Sequence, residues 1–235
     1  MGHLSRQKND RRSTTELCCS CGSLRCRKRL DSAVGEDPLG EDALCALREL
    51  GVDSRYIQTN AKPTGQCIVT LDSNAIPNYN VLRDVAYDHI ESDQLDFERI
   101  NREKYDALYF GTLIQRDEVS AKAVCELLSR CFFPTIICDV NLRPDCYNKD
   151  SVSRCLNHAT VLKVSAEEEP LLRSLGEYFS DQDDPEAIAI ALSNAYPLLE
   201  VILITFGKDG SYAYSVKERK SFYQKSIGDI VVSTV

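Results

Sequence analysis

No uninterrupted apolar run in this sequence approaches the ~20 residues that a helix needs to cross a bilayer. Before Leu30 there is also no apolar segment of the roughly 7–15 residues that form the core of a signal peptide. Beyond the first thirty residues the cysteines are scattered through apolar patterns rather than spaced as a disulfide framework: Cys45, Cys67, Cys125, Cys131, Cys138, Cys146 and Cys155. We therefore expect no membrane partner and a cytoplasmic, reduced protein whose cysteines are small core residues.

Acidic residues are scarce in the first 30 residues, where Asp10 and Glu16 stand against eight lysines and arginines. This segment carries a net charge of +6, and since the whole chain carries −8, the other 205 residues carry −14. An acidic body argues against nucleic acid, because binding phosphates requires a cationic surface. We expect no nucleic-acid partner.

The basic, cysteine-rich head, residues 1–32, shows no helical or strand periodicity. Cys18 and Cys21 have the C-x-x-C spacing of half a zinc site, but no second ligand pair follows at a matching spacing. The composition favours a disordered polar tail. We expect the head to be disordered and to hold no metal.

From Ala33 onward the pattern becomes regular. A short strand at 33–34 precedes a helix predicted over 41–50, which Gly51 ends. Three extended segments separated by turn residues then predict a small antiparallel unit, at 56–59, 66–71 and 80–82.

Beyond Asp96, strands alternate with helices. Strands are predicted at 107–110, 135–140, 160–164 and 201–206. Helices are predicted at 117–131, 151–157, 166–175 and 185–195, and an edge hairpin at 212–216 and 221–223. Near-continuous apolar strands indicate a parallel sheet covered on both faces. The predicted fold is α/β: a doubly wound, mostly parallel, Rossmann-like sheet with a small β appendage near the N-terminus.

In such sheets ligands bind beyond the carboxyl ends of the strands, a position predicted for Gly111, Asp139, Lys163 and Thr205. Asp139, Asn141 and Arg143 alternate along a predicted extended segment, which places three polar groups on one side. Arg143 could bind a phosphate or carboxylate through two parallel hydrogen bonds. A polar loop in which Asp139 pairs with Arg143 explains the pattern equally well.

Two further segments have both a structural and a functional interpretation. Ser165 and Glu168 have the spacing of a capping box. Helix capping explains a serine followed by a run of acidic residues more often than metal binding does. In the glycine-rich turn Thr205–Gly210, backbone amides could bind phosphate, with contacts from Thr205 and Lys208. An ordinary hairpin turn of Lys-Asp-Gly type is the alternative.

In this order, over residues 33–235, these segments resemble the ribokinase or PfkB family of carbohydrate kinases, most closely its fructokinase-like branch. The matching segments are 34–40, 63–65, 68–72, 86–88, 110–113, 139–144, 162–168 and 204–210. The resemblance implies a ribokinase-like domain that uses ATP and Mg²⁺ to phosphorylate a sugar hydroxyl. It also implies that the small β appendage, at about 55–83, is a β lid that closes over the sugar and can form a homodimer contact.

The resemblance also assigns roles to individual residues. It places sugar binding at Gly35, Asp37 and Gly40, and the metal at Glu168. It places phosphate and ATP binding at Asn141, Arg143, Lys163, Ser165, Thr205, Gly207 and Gly210. Ser165 replaces the asparagine of the family's Asn-x-x-Glu motif, as the fructokinase-like branch tolerates.

Two family segments have no counterpart in the sequence. Residues 1–32 lack the sugar-binding first strand and its Gly-Gly-x-x-x-Asn helix. The Gly-Ala-Gly-Asp loop is also missing, and the resemblance places this loop, with the family's catalytic aspartate, beyond Val235. We therefore expect an incomplete kinase domain at 33–235 with no catalytic residue and no appreciable activity.

Two alternatives to an incomplete kinase differ in class. One is a non-catalytic remnant that pairs with a full-length relative through the lid. The other, an unrelated Rossmann-like nucleotide-binding module, is disfavoured because no G-x-G-x-x-G follows the first strand.

Overall fold

The computed structural model describes residues 28–71, 77–176, 178–180 and 183–226. The strands and helices, in chain order, are β1 (Ser32–Gly35), α1 (Pro38–Glu49), β2 (Ile57–Asn60), β3 (Cys67–Leu71), β4 (Pro77–Val81), α2 (Phe97–Glu103), β5 (Ala107–Gly111), α3 (Glu118–Arg130), β6 (Thr135–Asp139), α4 (Lys149–His158), β7 (Val161–Ser165), α5 (Glu169–Gly176), α6 (Pro185–Ala195), β8 (Val201–Thr205), β9 (Ser211–Ser215) and β10 (Lys220–Gln224).

The chain divides into two compact units. The first holds the described residues up to Asp96 together with Asp117–Val124, and the second holds Phe97–Arg116 and the described residues from Cys125 onward. Most of the basic head, including the Cys18–Cys21 spacing, lies outside the described residues. None of the described helices combines the length and hydropathy that a transmembrane segment needs.

In the first unit, local signals define α1. Asp37 caps its N-terminus and Pro38 occupies its first position, where the missing N–H costs nothing. Gly51 follows the helix with φ +68°, a left-handed conformation that glycine adopts readily. The prediction of this helix and its stop is therefore confirmed.

The β strands of the first unit form two separate pairs. β3 and β4 are antiparallel, with Val69 opposite Tyr79, as predicted. The prediction that residues 56–59 join this antiparallel unit is wrong, because β2 pairs in parallel with β1, from Ser32 opposite Ile57 to Gly35 opposite Asn60. The crossover through α1 permits this parallel pairing.

The second unit is built on a six-stranded sheet in the order β10-β9-β8-β7-β6-β5. β5 to β8 are parallel, and β9 and β10 extend the sheet as an antiparallel hairpin. The predicted α/β class with a mostly parallel sheet is confirmed. The helix predicted over 185–195 is also confirmed, because α6 spans Pro185–Ala195. Asp184 caps its N-terminus and Pro185 is its first residue.

The two faces of this sheet differ in burial. Side chains on one face, such as Leu162 and Ile202, are completely buried, whereas alternate positions such as Val161, Val201 and Leu203 are half-buried. Both faces are therefore covered at least in part, as predicted, and one face is covered more completely than the other. Apolar runs indicate that both faces avoid water, but they do not indicate how completely each face is covered.

Strand β10 lies at one edge of the sheet among the described residues, and Phe222 on it is 62% exposed. An exposed apolar edge strand is a template for pairing with another chain. We expect copies of this chain to pair through this edge. Phe222→Lys should weaken that self-association about tenfold, because burying a phenylalanine contributes roughly 1.5–3 kcal/mol. Sedimentation equilibrium over a range of concentrations measures this change.

Phe179→Lys is the matched control, because Phe179 is 79% exposed but lies outside any strand. It should leave the association constant unchanged. Equal effects of the two substitutions would contradict pairing through the sheet edge.

Candidate functional site

At the carboxyl ends of the parallel strands, the structure joins Asp139 and Lys163 directly. Lys163 Nζ donates to both carboxylate oxygens of Asp139, at 2.9 and 3.0 Å. The Tyr109 hydroxyl donates to Asp139 Oδ2 at a longer 3.3 Å. Burial, and next the charge of Asp139, raise the pKa of Tyr109. The carboxylate of Asp139 therefore links the end of β6 to side chains of both neighbouring strands, β5 and β7.

The loop after β6 is not extended, which contradicts the prediction. Asn141 has φ +41°, a left-handed conformation that is unusual for a residue other than glycine. This reversal breaks the alternation that would have placed Asp139, Asn141 and Arg143 on one side. The carbonyl of Val140 accepts a hydrogen bond from the Thr112 hydroxyl at 2.7 Å, which fixes the start of the loop.

Glu168 connects this loop to the turn after β7. Its Oε1 accepts from the backbone N–H of Leu142 at 2.6 Å, and its Oε2 accepts from the N–H of Ser165 at 2.9 Å. The N–H of Glu168 donates back to the Ser165 hydroxyl at 3.2 Å, so the predicted capping box is present. The regular helix begins later than predicted, at Glu169, because Ala166 to Glu168 form the capped turn.

The turn after β8 combines two glycines in conformations that other residues rarely adopt. Gly207 has φ +53° and Gly210 has φ +126°. A β-carbon at Gly210 would lie 2.2 Å from the carbonyl oxygen of Gln224, whereas one at Gly207 would meet nothing within 4 Å. The turn joins β8 to antiparallel β9, so the hairpin interpretation is confirmed. Of the two glycines, Gly207 has the open space that an approaching ligand would require.

In the first unit, Asp37 and Thr64 hold two loops together. Asp37 Oδ2 accepts from the N–H of Thr64 at 2.8 Å, and Oδ1 accepts from the Thr64 hydroxyl at 2.7 Å and from the N–H of Gly40 at 2.8 Å. The Thr64 hydroxyl in turn accepts from the N–H of Gly35 at 2.9 Å. Hydrogen bonds from Thr64, first from its N–H and then from its hydroxyl, hold the pKa of Asp37 below its ordinary value.

Three glycines allow the close approach of these loops. A β-carbon would lie 2.4 Å from the Lys62 carbonyl oxygen at Gly35, and 2.2 Å from the Gly35 carbonyl oxygen at Gly40. At Gly65 it would lie 2.2 Å from Cε1 of Tyr87. Gly35, Asp37 and Gly40, which the resemblance assigns to the sugar, are thus brought together.

Sequence reasoning missed three partners in these networks. Tyr109 and Thr112 flank the end of β5, and their contacts with β6 and its loop follow from the pairing of the two strands. Thr64 carries a detectable signal, the Pro63-Thr64-Gly65 turn, but its contact with Asp37 spans 27 residues. Within the described ranges, no three His, Cys, Asp or Glu side chains cluster as metal ligands.

The placement of the catalytic aspartate beyond Val235 stays a prediction. Residues 227–235, including Val235 itself, lie outside the described part of the chain. The described residues therefore include the positions that the resemblance assigns to phosphate and to sugar. They give no information on the loop to which it assigns the catalytic aspartate.

Comparison with known proteins gives a consistent result. The family model of the pfkB family carbohydrate kinases matches residues 19–235. An uncharacterised sugar kinase of Pyrococcus horikoshii is 27% identical over 158 residues, which cover 64% of this chain and 50% of the relative. The chain therefore spans about half the length of this curated relative.

Solved structures share the fold at low sequence identity. The fructokinase of Xylella fastidiosa aligns with a TM-score of 0.76 and 17% identity over 91% of this chain and 65% of its own. The Pyrococcus horikoshii sugar kinase in complex with ATP aligns with a TM-score of 0.71 and 22% identity, over 91% of this chain and 66% of its own. Since the family model covers most of the sequence, the chain belongs to the pfkB family of carbohydrate kinases.

Proposed function

We propose that this chain contributes the phosphate-handling part of an ATP-dependent sugar kinase, which transfers phosphate to a sugar hydroxyl. The observation that carries the proposal is the set of constrained polar loops at the carboxyl ends of neighbouring parallel strands. The left-handed loop at Asn141, the turn capped by Ser165 and Glu168, and the open glycine turn at Gly207 follow β6, β7 and β8. Ligands of doubly wound sheets bind at this edge.

In this proposal ATP phosphates contact the loop of Asn141 and Arg143, and the turns of Ser165 and Thr205–Gly210. Lys163 adds positive charge close to them, although Asp139 partly neutralises it. Phosphoryl transfer depends mainly on positioning and charge stabilisation, which such converging groups supply. We do not assign Asp139 as the catalytic base, because its carboxylate binds Lys163 and Tyr109.

The described residues fit a magnesium ion that accompanies ATP. Mg²⁺ is usually held by one or two carboxylates together with substrate phosphates and water, so it needs no cluster of protein ligands. Each oxygen of Glu168 accepts one backbone hydrogen bond and retains a second acceptor position. Glu168 would hold the ion through these positions, and the ion would neutralise charge on the phosphates.

The sugar class and partners follow the resemblance. We propose a fructose-like sugar bound near Gly35, Asp37 and Gly40, and a cytoplasmic location. The β3–β4 pair would act as the lid and as a homodimer contact. Fructokinase activity is reported in the name of one relative whose structure shares the fold.

A second candidate function is a non-catalytic partner of a full-length relative. The β3–β4 pair favours it, because Val69 and Tyr79 lie opposite each other on one face and Tyr79 is 47% exposed. An apolar face of this kind is suited to pairing. The two candidates differ in whether the chain binds ATP by itself.

Calorimetric titration with ATP and with MgATP tests the first proposal. We expect Gly207→Ala to weaken ATP binding about tenfold, because a methyl group would enter the open space beside the turn and the left-handed backbone would be strained. Sugar-dependent ATP turnover, assayed with fructose and a panel of other sugars, then identifies the acceptor.

Gly51→Ala is the matched control, because Gly51 also has positive φ and open space but lies at the end of α1. Both variants should lose about 1 kcal/mol of stability, whereas only Gly207→Ala should lose affinity for ATP. Wild-type protein that binds neither ATP nor MgATP, or a Gly207→Ala variant with unchanged affinity, would contradict the proposal.

A further inference from the structure

The backbone of the loop after β6 adopts an uncommon conformation. Asn141 has φ +41°, a left-handed conformation that asparagine adopts more readily than most residues but less readily than glycine. Such a conformation persists where surrounding contacts over-determine it. The residue directly after it, Leu142, donates its N–H to Glu168 at 2.6 Å, a short hydrogen bond to a charged acceptor.

The same carboxylate is fixed from its other side. Its Oε2 accepts from Ser165 at 2.9 Å, and the adjacent N–H of Ala166 donates to the carbonyl of Thr205 at 2.9 Å. The turn that carries Glu168 is therefore attached to the ends of both β7 and β8. The side chain of Glu168 therefore connects the loop after β6 to the ends of these two strands.

We infer that Glu168 is a positioning residue, whose carboxylate holds the Asn141–Arg143 loop in its left-handed conformation and so makes that loop competent to bind phosphate. The inference rests on the proposed function and adds a second role for Glu168 besides any contact with a metal ion. A metal contact alone would leave the loop conformation independent of Glu168. The two roles therefore predict different behaviour when ATP is supplied without metal.

Amide hydrogen exchange and ATP titration of the full chain separate these roles. In Glu168→Ala, we expect exchange at the Leu142 and Ser165 amides to accelerate at least tenfold, or ~1.4 kcal/mol, because both lose their acceptor. ATP affinity without Mg²⁺ should fall by a similar factor, and affinity for MgATP should fall at least as much, because any contact with the ion is lost as well. Unchanged exchange at Ile202, which is fully buried in β8, verifies that the variant is folded.

Glu167→Ala is the matched control. Glu167 is the exposed neighbour of Glu168, and its substitution removes the same charge. It should leave exchange and affinity unchanged. In Glu168→Gln, only one of the Leu142 and Ser165 backbone N–H groups should keep its slow exchange, because the glutamine side chain offers a single acceptor oxygen.

Unchanged exchange at Leu142 in Glu168→Ala would overturn the inference. So would an affinity that falls only when Mg²⁺ is present, since this would indicate a metal contact alone. If wild-type protein bound no ATP, the proposed function would fail, while the exchange rates would still decide whether Glu168 holds the loop.

Discussion

Replacing Asp37 with alanine is expected to lower the free energy of unfolding of the first unit by about 3 kcal/mol. The substitution removes the cap of α1 and also the acceptor for both the N–H and the hydroxyl of Thr64. Hydrogen bonds to charged groups contribute about 1.5–3 kcal/mol each, and partial exposure reduces their sum here. For a chain of this size the melting temperature should fall by roughly 6–12 °C, which differential scanning calorimetry measures.

Asp184→Ala is the control for Asp37→Ala. Asp184 caps α6 through Glu186 and Ala187 in its own turn, so its loss should cost only about 1 kcal/mol. The difference in lost stability between the two variants measures the contribution of the contact between Asp37 and Thr64. Equal losses would show that Asp37 acts as a helix cap only.

The effect of Asp37 should also depend on pH. Hydrogen bonds from Thr64 lower its pKa in the folded chain, so its stabilisation is fully present above the ordinary aspartate pKa of about 3.9. That stabilisation is lost as the pH falls through the lowered pKa. The stability difference between wild type and Asp37→Ala should therefore shrink in acid, and a difference that grows would contradict the assignment.

Replacing Lys163 with methionine is expected to destabilise the second unit by about 2 kcal/mol. The side chain of Asp139 is only 16% exposed and would lose its cation, while that of Lys163 is 39% exposed, which moderates the cost. Urea denaturation followed by circular dichroism measures the change.

A double variant separates the ion pair from the loss of packing. Lys163→Met combined with Asp139→Asn should recover about half of the lost stability, because no partly buried charge is then left without its partner. Lys208→Met, a substitution of an exposed lysine, should cost less than about 0.5 kcal/mol. A double variant no more stable than Lys163→Met would indicate that the ion pair contributes little.

Local signals explain why much of the fold could be predicted. The start of helix α6 is predictable because Asp184 and Pro185 form it within two adjacent residues. The strands β5 to β8 were recognisable from their apolar runs. The parallel pairing of β1 with β2 was missed, because the extended character of residues 56–59 does not specify a partner strand.

The candidate site was less predictable because its contacts are not local. Asp139 and Lys163 are 24 residues apart, and their pairing follows from the register of β6 and β7. The resemblance assigned Lys163 to a phosphate, and the structure adds the carboxylate beside it. The left-handed backbone at Asn141 has only a weak signal in the sequence, since asparagine tolerates this conformation but does not require it.

The contact between Gly65 and Tyr87 has a consequence for how this loop can evolve. Because a β-carbon at position 65 would overlap the tyrosine ring, a larger residue there requires the ring to shift, or a smaller residue at position 87. A smaller residue at position 87 alone leaves a cavity but no overlap. Substitutions at the two positions should therefore be epistatic, and related sequences should show them covarying.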